Sequence, residues 1–118
     1  MRATSGRIMA GIVGALGMLA VGAADVAAMD ITVVNTSTRD VDGLYLAATA
    51  QSAWGPDQIE SEVLEQGASV ILRGVSCAQS SLVVVAEDLA GCFLYQSVGC
   101  GGDATWTISN ATPRDCGR

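Results

Sequence analysis

The side chains that could do chemistry in this sequence are few and one-sided: four cysteines, twelve carboxylates, six arginines, and no histidine or lysine. General acid–base catalysis most often recruits His, and Ser-His-Asp or Cys-His nucleophile systems require one. The absence of Lys excludes a Ser-Lys dyad in the same way. Paired carboxylates remain, because two acids alone can hydrolyse a glycosidic bond. Glu60, Glu62, Glu65, Glu87 and Asp88 are the candidates. Acids clustered near turns more commonly form a solvated face, and a domain of about 90 residues leaves little volume for a substrate cleft. The expectation is no catalytic residue and no enzyme.

Cys77, Cys92, Cys100 and Cys116 all fall within the last 42 residues. Zinc sites usually present two close-spaced Cys pairs; none exists here, no His assists, and no metal is expected. There is no Cys-x-x-Cys dithiol. An even count in a short exported chain reads instead as a disulfide framework. Three connectivities are possible, and strand register chooses between them. Ser80 to Glu87 and Cys92 to Val98 read as strands, with a turn over Glu87 to Gly91. A hairpin centred between Asp88 and Leu89 sets Cys77 opposite Cys100 at its open end, within bridging reach. Cys92 then pairs with Cys116 and draws the tail onto the sheet. Each bridge closes about 24 residues, worth roughly 3–4 kcal/mol on chain-entropy grounds against a net stability of ~5–10 kcal/mol.

Other motifs carry weaker chemistry. Asp40 and Asp42 before Gly43 resemble the start of a calcium loop, but Leu44 and Leu46 stand where oxygen ligands are needed, so a plain Asp-Gly turn is expected. Gly99, Gly101 and Gly102 surround Cys100 with no helix after them to hold a phosphate; they allow tight turns beside a disulfide. No cofactor is expected. Asn35-Thr36-Ser37 and Asn110-Ala111-Thr112 match glycosylation acceptors, which matter only in a eukaryotic secretory route. Trp54, Tyr45 and Asp57 are the candidate binding residues. Trp54-Gly55-Pro56-Asp57 would present an aromatic on a stiff loop, which suits partner recognition. The commoner role for such a Trp is to cap one end of the domain and fill its core.

The N-terminus supplies the address. Arg2 and Arg7 precede an apolar run of 17 residues, Ile8 to Ala24, and then Val26-Ala27-Ala28. Positive start, apolar stretch and small-residue site together read as a secretory signal peptide over residues 1–28, cut after Ala28, with Ala24 as second choice. The apolar run is at the short end for spanning a bilayer and rich in Gly and Ala, so no retained membrane anchor is expected. No Cys sits near the cut and the two arginines are not adjacent, so neither a lipid anchor nor a twin-arginine signal is indicated. Removal of residues 1–28 leaves eleven acids against four arginines, a net charge of −7. That sign argues against nucleic acid and anionic lipid as partners and favours a cationic protein.

Residues 29–118 are then a single domain. Asp30 to Val34, Leu44 to Ala50, Ser69 to Val75, the two hairpin strands and Ala104 to Ser109 read as strands from their β-branched content and alternation. Turns are expected at Asp40 to Gly43 and Glu65 to Gly67, and a short helical turn over Ile59 to Leu64. Six or seven short strands without an ordinary helix suggest an all-β fold, a small antiparallel β-sandwich closed by disulfides.

The order Asn35-Thr36, Leu44-Tyr45, Trp54-Gly55-Pro56-Asp57, Leu64 and Gly67, then Cys77, Leu82-Val83-Val84, Asp88 to Gly91 and Val98-Gly99-Cys100, resembles a group of small exported bacterial domains. The similarity spans Ile31 to Cys100. It implies a small β-sandwich with a Cys77–Cys100 bridge and carries no activity with it. Gly99 stands where the group has Leu, the Asp-Gly turn is stretched, and Cys92 and Cys116 are additional. The expected function is a non-enzymatic binding or accessory module, periplasmic or secreted. The alternative is an acidic inhibitor of a cationic secreted hydrolase, where opposite charge speeds association.

Overall fold

The computed structural model describes residues 27–117. They form six strands: β1 (Ala27–Asn35), β2 (Val41–Ala47), β3 (Ser69–Cys77), β4 (Ser81–Asp88), β5 (Phe93–Gly99) and β6 (Ala104–Ile108). The described part is all-β, in two three-stranded sheets ordered β3-β1-β6 and β2-β4-β5. The segment read as a signal peptide lies outside the described residues except for Ala27 and Ala28, which open β1. A cut after Ala28 removes the pairs Ala27–Cys77 and Ala28–Ser76, whereas a cut after Ala24 keeps them. No helix among the described residues is long and apolar enough to cross a membrane.

The strands form where alternate residues can be buried on one side. Ile31 and Val33 of β1, Leu72 and Val75 of β3, and Trp106 and Ile108 of β6 meet Leu44 of β2 and Leu82, Val84 and Ala86 of β4 in one apolar cluster. The inner faces of both sheets contribute to it, so each sheet buries its apolar side against the other. Asn35, at the end of β1, is the polar exception inside. Its Nδ2 donates to the carbonyls of Arg39 (2.7 Å) and Leu64 (2.9 Å), and its Oδ1 accepts from Ser37. Fully satisfied and fully buried, it ties together the β1–β2 and β2–β3 loops. That placement removes Asn35 as a glycan acceptor.

Four expectations need correction. First, β1 and β6 pair in parallel, with Val33 beside Trp106, so the fold is not wholly antiparallel. The chain leaves β1, builds the other sheet, and returns by a crossover, which allows a parallel pair that no hairpin could make. Second, Asp40 to Gly43 is not a turn: Val41 and Gly43 already belong to β2. A register shift between them inserts one extra residue, which lets Val41 and Leu44 both face inward.

Third, Ile59 to Leu64 is not a helical turn. A single reverse turn, closed by the Glu62 N–H on the Ile59 carbonyl with Glu60 at φ 52°, leads into a bridge between Leu64 and Val41. Six residues give too little helix to repay nucleation, and the two bonds to Val41 win. Fourth, the β4–β5 hairpin is three residues out of the expected register: Glu87 faces Phe93 and Ser81 faces Gly99. Leu89, Ala90 and Gly91 form a three-residue loop whose last member takes φ 82°, a conformation open to glycine at little cost.

Cys77 pairs with Cys100 and Cys92 with Cys116, with Cα atoms 5.7 and 4.2 Å apart. The geometry behind the first bridge differs from the hairpin reading. Cys77 ends β3, in the other sheet, so this bridge ties the two sheets together at the open end of the hairpin. Disulfides of this kind belong to an oxidising environment.

Candidate functional site

Residues that alternate with the core project onto the outer face of β2-β4-β5. The register sets them in three rows: Ala47, Val83 and Ser97; Tyr45, Val85 and Tyr95; Gly43, Glu87 and Phe93. Trp54 lies over this grid. Its ring centroid is 5.4 Å from Tyr45, 5.0 Å from Phe93 and 6.3 Å from Tyr95, the latter two edge to face. These separations are those of favourable aromatic pairs. Val85 is outside the core cluster yet has no exposed surface. The four rings are only half-buried. Four of the five aromatic residues of the chain are gathered here, and Trp106 alone is in the core.

The loop carrying Trp54 is pinned along β2. The Gly55 N–H donates to the Leu46 carbonyl at 3.0 Å and the Gln58 N–H to that of Leu44. Asp57 Oδ1 accepts from the Leu44 and Ile59 N–H groups at 3.0 and 3.1 Å. Asp57 therefore positions Trp54, and the same bonds cover the edge of β2. Trp54 is not part of the core cluster; it packs against the rings of one outer face.

Gly43 is a second positioning residue. A Cβ built there would stand 2.7 Å from the Tyr45 hydroxyl and 3.0 Å from its ring. The missing side chain lets the Tyr45 ring lie over the backbone and donate its O–H to Glu87 Oε1 at 3.1 Å. Burial, the bond to Glu87, and the charges of Glu87, Asp57 and Asp42 push the Tyr45 phenol above its ordinary pKa. Tyr95 is raised too, by burial and then by Asp115, whose Oδ2 is 3.5 Å from its hydroxyl. Carboxylates thus rim the rings.

The strand carrying Phe93 and Tyr95 is held at both ends. Cys92 precedes β5 and Cys100 follows it, and each is bridged. The Phe93 N–H and carbonyl also bond Asp115 of the tail at 2.7 and 2.8 Å. Beside Cys92, Asp88 is 2% exposed. Its Oδ1 accepts from the N–H groups of Ala90 and Cys92, and its Oδ2 takes both Nε and Nη2 of Arg114 at 2.9 and 2.8 Å. Burial by itself would raise this carboxyl's pKa; the Cys92 and Ala90 N–H groups and Arg114 outweigh burial and hold it below the usual value. Asp88 is a structural anchor for the tail.

The remaining sequence candidates disperse. Glu60, Glu62 and Glu65 are exposed on the loop before β3, and Glu87 and Asp88 lie on opposite faces of β4. Gly99, Gly101 and Gly102 have open space where a Cβ would be. Among the described residues, no three acids or cysteines converge as metal ligands. Of the residues read from sequence as binding candidates, the structure joins Tyr45 and Trp54 and sets Asp57 beneath them. Phe93, Tyr95, Gly43 and Asp115 were missed. The signal that could have found them is the Gly91 loop: with the hairpin centred on Ala90, Tyr95 falls opposite Val85 and Phe93 opposite Glu87. Comparison of the chain with family models, curated proteins and solved structures returned no match.

Proposed function

We propose that this chain is an exported, non-enzymatic β-sandwich module that binds a partner through the aromatic outer face of β2-β4-β5, in the periplasm or outside the cell. The observation that carries the reading is the allocation of aromatic residues. A domain of this size gains most by placing its largest apolar side chains in the core. Here four of five rings lie half-exposed on one face, two of them on a strand pinned by two disulfides. Rigid, partly exposed aromatic groups are the commonest energetic centres of recognition surfaces. The lack of His and Lys, and the engagement of Asp88 by Arg114, support binding over catalysis.

The test is capture of a partner from cell-envelope extract by the processed protein. Trp54→Ala and Tyr95→Ala should each lose the partner, and Thr107→Ala, on the other sheet's outer face, should retain it. Equal capture by all three variants would assign binding elsewhere.

A further inference from the structure

The aromatic face has a chemical preference. Around the rings, Asp42, Asp57, Glu87 and Asp115 are all acceptors, and both phenol hydroxyls already donate to carboxylates. Among the described residues, no base is paired with them. Arg114, next in sequence to Asp115, is bound to Asp88 on the inner side. Among the described residues, the Trp54 indole N–H aside, this rim is short of hydrogen-bond donors and of positive charge. A sugar ring would stack on the same rings, but it needs donors as well as acceptors from its site. A guanidinium supplies five donors in a plane, carries the missing charge, and stacks on aromatic rings.

We infer that the face formed by Tyr45, Trp54, Phe93 and Tyr95 docks an arginine side chain of a basic partner protein, packed on the rings and paired with the carboxylates of Glu87 and Asp115. The inference rests on the proposed binding role of this face and adds the chemistry of its partner. The charge of the whole domain acts in the same direction. With a net charge of −7 after removal of residues 1–28, it attracts a basic partner from a distance, and the rings select among cations at contact. Lysine satisfies the first step and the second poorly, because its ammonium is compact and strongly hydrated.

The experiment titrates the processed, disulfide-bonded protein with an oligoarginine peptide, an oligolysine peptide of equal charge, and a neutral cello-oligosaccharide. Amide NMR shifts and indole fluorescence are the readouts. Oligoarginine should move the signals of Tyr45, Val85, Phe93 and Tyr95, and its affinity should fall as salt rises. Trp54→Ala should weaken it by about tenfold. Glu87→Gln, which leaves the Tyr45 hydroxyl an acceptor and the fold intact, should weaken it by about threefold. Oligolysine should bind more weakly than oligoarginine at the same salt. The inference is overturned if oligoarginine shifts only the Glu60 to Glu65 loop, if Glu87→Gln binds as well as the parent, or if the two peptides bind equally. A cello-oligosaccharide that moves the face where oligoarginine does not would overturn the arginine assignment and keep the binding role. Loss of the binding role itself would show as envelope capture indifferent to Trp54→Ala.

Discussion

Thr32, Thr105 and Thr107, with Val34 and the exposed Ile71 between them, cover the outer face of β3-β1-β6, with an exposed Arg73–Asp30 pair at 3.6 Å beside them. Tyr45, Val85, Phe93 and Tyr95 cover the outer face of β2-β4-β5, under Trp54. Both faces follow the same period-two alternation, and both strands beneath bury aliphatic side chains inward. The threonine face is an ordinary solvated sheet surface, whose β-branched residues suit strands and whose hydroxyls suit water. The aromatic face is built differently: a loop bound along the edge of β2 lays one more ring on it. Alternation therefore decides which residues face out, while the loop decides whether that face stays a solvated surface or becomes a rigid apolar one.

Breaking the restraint on β5 tests this contrast most severely. Replacing both Cys92 and Cys116 with Ser should cost about 3–4 kcal/mol, since a sequence separation of 24 is released. Denaturant unfolding measures the loss. Amide exchange should quicken at Phe93 and Tyr95 and remain slow at Thr105 and Thr107, and uniform loosening of both faces would contradict the assignment.

Asp88 anchors the same end by charge. Asp88→Ala removes the acceptor of the buried Cys92 N–H and of the Ala90 N–H and frees Arg114, at a cost of about 3 kcal/mol. The pH dependence follows from its lowered pKa. The stabilisation is complete above the unfolded value of about 3.9 and is lost as pH falls through the lower folded value. Unfolding free energy of the parent should thus drop below about pH 4. Asp88→Asn should flatten that drop.

The two faces should also respond differently to truncation. Trp54→Ala removes a half-buried ring and uncovers Val85, so a loss of about 2 kcal/mol is expected, below the range for a fully buried Trp. Thr107→Ala, exposed on the other face, should stay within about 0.5 kcal/mol. Thermal unfolding of the pair compares them directly. Gly43→Ala is the finest probe: the added methyl displaces the Tyr45 ring, costing about 1 kcal/mol. Without its bond to Glu87, the Tyr45 phenol should titrate closer to its ordinary pKa, readable by ultraviolet absorbance.

Much of the fold was legible because burial leaves a local trace. Ser69 to Val75, Ser80 to Glu87 and Ala104 to Ser109 announce themselves by β-branched density or clean alternation, and all fall on strands. The candidate site was legible only in part. Trp54 and Tyr45 stand out by type, but nothing near Phe93 or Tyr95 marks them as their neighbours. Their meeting depends on where the β4–β5 hairpin turns. A centre misplaced by one and a half residues misaligns every cross-strand pair, although the strands themselves are correctly identified. Asp57 shows the complementary limit: its position in a Gly-Pro loop suggests exposure, whereas the chain needs its carboxylate for two backbone amides.

By itself, the sequence determined an acidic chain without His or Lys, an even set of cysteines, and a run of short amphipathic strands. These are properties of composition and of neighbours along the chain, and they hold before any folding. Only the tertiary structure decided that β1 and β6 run parallel, that the Cys77–Cys100 bridge joins two sheets, and that four rings gather on one outer face. Each of those depends on which distant backbone groups share hydrogen bonds, and that choice is made by the whole core at once rather than by any segment.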